Sequence, residues 1–114
     1  MTRQELKSDD VLARLIARTL QLGAAELDIE YKNGCEEVCA MNGNMGVGIA
    51  SLDSSGEEAS ALRKQVIAIG KKGKTITVAD ADFRVTVATY DSFGETAYRV
   101  SIQTKPTSKR GGAG

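Results

Sequence analysis

The fold is decided by one stretch of sequence, Glu26-Leu27-Asp28-Ile29-Glu30-Tyr31-Lys32-Asn33-Gly34. Leu27, Ile29 and Tyr31 alternate with acidic residues, and this period of two is typical of a half-buried β-strand. The stretch ends at Asn33-Gly34, and both of these residue types accept a positive φ at little cost. It therefore predicts a strand that turns tightly into an antiparallel neighbour.

Two amphipathic helices are predicted from apolar residues that recur at three- and four-residue spacing. The first covers 9–22, with Ser8 as its N-cap and Gly23 as its C-terminal stop. The second begins after Ser54 or Ser55, either of which can serve as its cap, and ends at Gly70. Its buried stripe consists of Ala59, Leu62, Val66 and Ile69.

Five further strands complete the predicted order α-β-β-β-α-β-β-β. They are expected at about 36–41, from 45 to 52, near 76–78, around 83–87 and around 98–102. Short connections favour antiparallel neighbours, so the predicted fold is an α+β two-layer sandwich with two helices on one face of the sheet. One domain would span 9–104, with residues 1–8 as a lead-in and 105–114 as a flexible C-terminal tail.

Composition excludes much enzyme chemistry. The chain has 114 residues, a mass of 12.1 kDa and no histidine. It therefore lacks any Ser–His–Asp triad, Cys–His dyad or imidazole base of its own. Cys35 and Cys39 are too far apart on one strand for a disulfide and too few for a zinc site. We expect a protein that is not an enzyme and uses neither a cofactor nor a metal.

Charge argues against a dedicated nucleic-acid partner, because 15 basic residues balance 15 acidic ones. The charges are unevenly distributed: residues 1–57 hold ten acids and five bases, and 58–114 hold five acids and ten bases. No apolar segment approaches the length of a signal or a membrane span, so we expect a cytoplasmic protein without membrane insertion.

A basic turn suggests a second class of function. Lys71, Lys72 and Lys74 lie in a run that ends in Gly-Lys-Thr and loosely fits a phosphate-binding loop. Such a loop needs a strand before it and a helix after it, whereas here a helix leads in and a strand leads out. The alternative hypothesis is a regulator that binds a small ligand or nucleotide at this turn; an ordinary surface turn is the other interpretation.

Tyr90 and Phe93 are predicted to lie in the loop between the last two strands. Exposed aromatic residues on loops often anchor protein partners, although packing over the edge of the sheet explains them equally well. Neighbouring carboxylates also occur, among them Glu36 with Glu37 on a predicted edge strand and Asp80 with Asp82 at a predicted turn. The second pair could hold Mg²⁺ or Ca²⁺, although such a site needs several more oxygens. Solvated acids are the simpler interpretation of these pairs.

Two segments resemble a known family. Gly23-Ala24-Ala25-Glu26-Leu27-Asp28-Ile29-Glu30 is similar to a segment in the N-terminal domain of the hexameric ATPases of type II secretion and type IV pili. Asn42-Gly43 falls where that family has an Asp-Gly turn. Phe83-Arg84-Val85-Thr86, followed by Gly94-Glu95 and Arg99-Val100, resembles a later segment of the same domain. The resemblance covers about residues 9–103.

The resemblance implies a non-catalytic module that acts by protein–protein contact, because the chain lacks the motor domain that follows in the family. Arg84 and Arg99 match family arginines and become candidate partner-binding residues, together with Tyr90 and Phe93. Other family arginine positions hold Cys39, Ala40 and Met41 here. The implied partner is a secretion or pilus component. Exposed edge strands also allow a homodimer formed by sheet extension.

Overall fold

The computed structural model describes residues 11–104 and confirms the predicted α+β sandwich. The predicted helix start at residue 9, its Ser8 cap, the lead-in 1–8 and the tail 105–114 lie outside the described residues. The elements are α1 Val11–Gln21, β1 Glu26–Lys32, β2 Cys35–Asn42, β3 Met45–Asp53, α2 Glu57–Ile69, β4 Lys74–Val78, β5 Ala81–Ser92 and β6 Glu95–Thr104.

The six strands form one antiparallel sheet in the order β3-β2-β1-β6-β5-β4. The first strand of the first half and the last strand of the second half meet at the centre, where Leu27 lies opposite Val100. The edges are therefore β3 and β4. Because β2 lies between β1 and β3, the prediction that Glu36 and Glu37 occupy an edge strand is wrong.

Both helices cover the same face of the sheet and bury the predicted stripes. Leu15 and Ile16 of α1 and Leu62 and Val66 of α2 pack in one cluster with the inward side chains of the strands. Leu22, the last residue of the first predicted helix, follows the end of α1 and is exposed. In the described part of the chain, no helix covers the opposite face of the sheet, which we call the open face. Within residues 11–104, neither helix is long and apolar enough to cross a membrane.

The start of α2 differs from the prediction. Gly56 is the N-cap, and no side chain caps the helix. Ser54 donates instead to the buried Glu36 carboxylate at 3.3 Å, and Arg63 donates to the same carboxylate oxygen at 3.1 Å. Glu36 is thus a buried, paired acid that joins β2 to α2 and not a solvated one.

Two-residue turns connect the strands within each half of the sheet. Asn33-Gly34 forms the predicted turn, with a positive φ at both positions. Ala79-Asp80 and Phe93-Gly94 have the same pattern, which is that of type I′ turns. The last three strands are longer than the predicted 76–78, 83–87 and 98–102, since only two residues interrupt the pairing at each of these turns.

Candidate interaction surface

The open face carries an ion pair at the centre of the sheet. Arg99 on β6 lies directly opposite Asp28 on β1. The Arg99 guanidinium donates from Nε to Asp28 Oδ1 at 2.7 Å and from Nη2 to Oδ2 at 2.8 Å. Asp28 is only 7% exposed, so its charge has little water around it and depends on this two-point contact. The hydrogen bond and the charge of Asp28 raise the pKa of Arg99, which keeps the guanidinium protonated.

Tyr90 extends this cluster from the next strand. Its hydroxyl donates to Glu30 Oε2 at 2.8 Å and makes a longer contact of 3.2 Å with Asp28 Oδ2. The Arg99 guanidinium carbon lies 5.5 Å from the centroid of the Tyr90 ring, within the range of a cation–π interaction. Burial, followed by the hydrogen bond and charges of Glu30 and Asp28, raises the pKa of Tyr90. We call Asp28, Glu30, Tyr90 and Arg99 the polar cluster.

The predicted position of Tyr90 is wrong. Tyr90 belongs to β5 and pairs with Ala97 of β6, so it is part of the sheet and not of the connecting loop. The prediction failed because β5 continues to Ser92, well past the alternating valines used to recognise it. From within the sheet, its hydroxyl contacts the carboxylates of the open face and its ring lies beside the Arg99 guanidinium.

Phe93 lies at the tip of the β5–β6 hairpin. Its side chain is 98% exposed, and its φ is +52° in the Phe93-Gly94 turn. A bulky side chain at positive φ is uncommon, because the left-handed region crowds any Cβ atom. Asn33 occupies the equivalent position of the β1–β2 turn with nearly the same φ, and asparagine adopts this conformation more readily. The Phe93 side chain therefore contributes neither to the core nor to the turn.

Arg84 is separate from the polar cluster. It lies on the open face of β5, and its Nη2 donates to the backbone carbonyl of Lys72. This hydrogen bond holds the connection between α2 and β4 against β5. Gly73 packs tightly in the same place, because a Cβ there would come within 2.8 Å of Thr86 Cγ2 and 2.9 Å of the Val85 carbonyl oxygen. The structure thus separates the two predicted arginines, with only Arg99 joining Tyr90.

The basic turn has the order helix–turn–strand expected from the sequence. Lys74 is already the first residue of β4, whereas Lys71 and Lys72 lie in the connection, and all three are exposed. The amides of Gly70 and Gly73 donate back to α2, to the carbonyls of Val66 and Ile69. Those two N–H groups are therefore occupied within the fold and do not form a phosphate cradle.

Cys39 adjoins the acidic side of the polar cluster. It pairs with Asp28 across β1 and β2, and both side chains line an open cavity of about 160 Å³. Burial raises the pKa of the Cys39 thiol, and the charges of Asp28, Glu30 and Glu37 raise it further, which favours the less reactive protonated form. Both cysteines are free, and no group of three or more metal-ligating side chains occurs within 11–104.

Sequence reasoning missed Asp28 and Glu30 as members of the site. The alternation in β1 assigned them to the side away from Leu27 and Ile29, and this is correct. Their importance depends on β6 lying beside β1, and no local pattern specifies a pairing between strands so distant in the chain. Comparison with protein-family models and with curated proteins found no match to this chain.

Proposed function

We propose that this chain is a non-catalytic protein–protein interaction module, and that its partner surface is the β5–β6 hairpin. The surface extends from Arg99 and Tyr90 on the open face to Phe93 at the tip. The exposed Phe93 side chain on a left-handed backbone is the observation that carries the proposal. Strained backbone and exposed aromatic groups concentrate where a protein contacts something else.

Phe93 is suited to act as an anchor. Phe93 lies in a two-residue turn at the end of two long paired strands, which fixes the position of its backbone at the end of the sheet. An aromatic ring presented in this way loses little conformational entropy on binding and buries a large apolar area in a partner's pocket. Asparagine at this position would stabilise the turn more than phenylalanine does, because it adopts a positive φ more readily, as at Asn33.

Arg99 and Tyr90 supply a polar contact behind the anchor. Along the hairpin, Tyr90 lies about 10 Å and Arg99 about 17 Å from the tip, at roughly 3.4 Å per residue. The Arg99 side chain is 44% exposed although Asp28 holds its Nε and Nη2, so part of the guanidinium faces solvent in a fixed orientation. The complementary partner would offer an apolar pocket for Phe93 and an acceptor group, such as a carboxylate or carbonyl, for Arg99.

The resemblance to the N-terminal domain of secretion and pilus ATPases supports a partner from that machinery. Arg99 is one of the two family-matched arginines, and it belongs to the polar cluster. Arg84 is assigned a different role, that of fixing the α2–β4 connection, because its guanidinium already bonds the Lys72 carbonyl.

Photo-crosslinking in the native cells tests this function. A benzoylphenylalanine placed at position 93 should capture a distinct protein, and Arg99→Glu in the same chain should weaken that capture. The matched control carries the crosslinker at Ala79, the equivalent position of another type I′ turn at the opposite end of the sheet. If positions 93 and 79 captured the same proteins with equal yield, the hairpin tip would not be a partner surface.

A further inference from the structure

The two edges of the sheet differ in how well they are protected against further pairing. β4 is short, begins with Lys74, and is joined to β5 through a turn that contains Asp80, with Asp82 next to it on β5. Charges and short length are the usual protection of an edge strand. In contrast, β3 has no charged side chain between Met45 and Leu52, and a β-bulge at Ile49 interrupts it only after its first four residues, which are all exposed.

The backbone of β3 presents its free groups at two glycines. Asn42 and Met45 close a two-residue turn, so this pair exchanges backbone hydrogen bonds within the hairpin. Because the pattern repeats every second residue, Val47 also bonds toward β2. Gly46 and Gly48 therefore direct their N–H and C=O groups outward from the sheet.

Gly48 precedes a β-bulge in β3, because the register with β2 shifts between Val38 and Cys39 and leaves Ile49 without a partner on β2. Glycine costs stability in a strand, so it usually marks a bulge or a close approach. At Gly46, a Cβ would meet Met41 Sδ at 2.8 Å, which accounts for that glycine. At Gly48, a Cβ would meet nothing within 4 Å, and the φ lies outside the left-handed range. Gly48 therefore leaves the outer edge of β3 open beside the bulge, with room for the backbone of a second strand.

We propose that β3 pairs antiparallel with β3 of a second copy of this chain, about a two-fold axis through Val47. This inference concerns an edge strand away from the β5–β6 hairpin and does not depend on the proposed function. In this register Gly46 of each copy lies opposite Gly48 of the other, and their outward groups form backbone hydrogen bonds in both directions. The two Val47 residues form the non-hydrogen-bonded pair at the axis.

The side chains on β3 favour a second copy over an unrelated strand. Met45 is 73% exposed and Val47 is 53% exposed, on the helix-bearing face. Self-pairing brings Met45 of each copy near Ile49 of the other, beside an open cavity of about 390 Å³ that Ile49 and Leu52 line. Because Met45–Leu52 contains no charged side chain, self-pairing brings no like charges together and buries these apolar side chains against each other.

Disulfide trapping tests both the contact and its register. In a Cys35→Ser, Cys39→Ser background, Val47→Cys should form a covalent dimer in a glutathione redox buffer. Non-hydrogen-bonded antiparallel partners have Cα atoms about 4.5 Å apart, within disulfide range. Met45→Cys in the same background is the control, because its two copies would lie four positions apart in register. Equal trapping of the two variants, or faster trapping of Met45→Cys, would overturn the proposal.

Sedimentation of the unmodified chain provides a second test that requires no added cysteine. The weight-average mass should rise from monomer to dimer with concentration, and Gly48→Pro should raise the dissociation constant at least about tenfold by removing an outward N–H. Ile67→Lys, at an exposed apolar residue of α2, should leave the dissociation constant unchanged. A chain that stays monomeric at millimolar concentration, or a Gly48→Pro variant that is folded by circular dichroism and dimerises normally, would refute it.

Discussion

Asp28 and Arg99 are 71 residues apart in the chain, yet they face each other across the two central strands of the sheet. Their side chains meet in a two-point contact on the face that the helices leave open. The pair therefore joins the first half of the fold to the second and fixes an exposed guanidinium beside Tyr90.

Asp28→Ala should lower the free energy of unfolding by about 1–2 kcal/mol, because it removes a two-point contact that lies partly out of water. This value allows for solvent around Arg99. Glu58→Ala is the control, since it breaks the more exposed pair with Arg14 and should cost less than about 0.5 kcal/mol. Urea denaturation measures both variants, and equal losses would show that the Asp28–Arg99 pair is an ordinary surface contact.

Tyr90→Phe should cost about 1 kcal/mol near neutral pH, because it removes the hydroxyl that donates to Glu30 and contacts Asp28. The folded state raises the pKa of Tyr90 above its ordinary 10.0, so only the unfolded chain loses this proton just above pH 10. The stability contributed by the Tyr90 hydroxyl is therefore complete below pH 10 and declines as the pH rises further. The difference in unfolding free energy between the wild type and Tyr90→Phe should narrow above pH 10; a constant difference would contradict the assignment.

Gly73→Ala should destabilise the fold by about 2–3 kcal/mol. Its φ of +83° strains any residue with a side chain, and the new Cβ would also press on the Val85 carbonyl and Thr86. Gly34→Ala has the same φ with nothing within 4 Å, so it should cost only about 1 kcal/mol. Both variants carry the backbone strain of a positive φ, and only Gly73→Ala adds contact with β5, so the difference between their melting temperatures measures that contact. Equal melting temperatures would mean that the α2–β4 connection is not closely packed on β5.

Phe93→Asn should stabilise the isolated protein by about 1 kcal/mol, since asparagine tolerates positive φ and asparagine–glycine is the preferred type I′ pair. For a domain of this size the melting temperature should rise by about 4 °C or more. Differential scanning calorimetry measures this shift. A lower melting temperature would show that the Phe93 ring contributes to folding and is not kept for contact with a partner.

The fold could be predicted largely from local patterns. The alternation at Leu27 and Ile29, the turn at Asn33-Gly34 and the stripe through Leu62 and Val66 each specify an element over a few residues. The N-cap of α2 could not be predicted in the same way, because Ser54 hydrogen-bonds to the carboxylate of Glu36, which belongs to β2.

The candidate site could be predicted only in part. Arg99 and Phe93 were singled out, but Asp28 and Glu30 acquire their roles only because β1 lies beside β6. Arg84 and Arg99 look equivalent in sequence and act differently, since their neighbours come from distant parts of the chain. Strand order is set by packing across the whole sheet, and short-range patterns do not encode it.

The most direct test measures the affinity of the partner captured at position 93 for the wild type and for Phe93→Asn by isothermal titration calorimetry. We expect the variant to be the more stable protein and to bind at least about 30-fold more weakly, as expected for the loss of an aromatic anchor. Equal affinity of the two proteins would contradict the assignment of the β5–β6 hairpin as the partner surface.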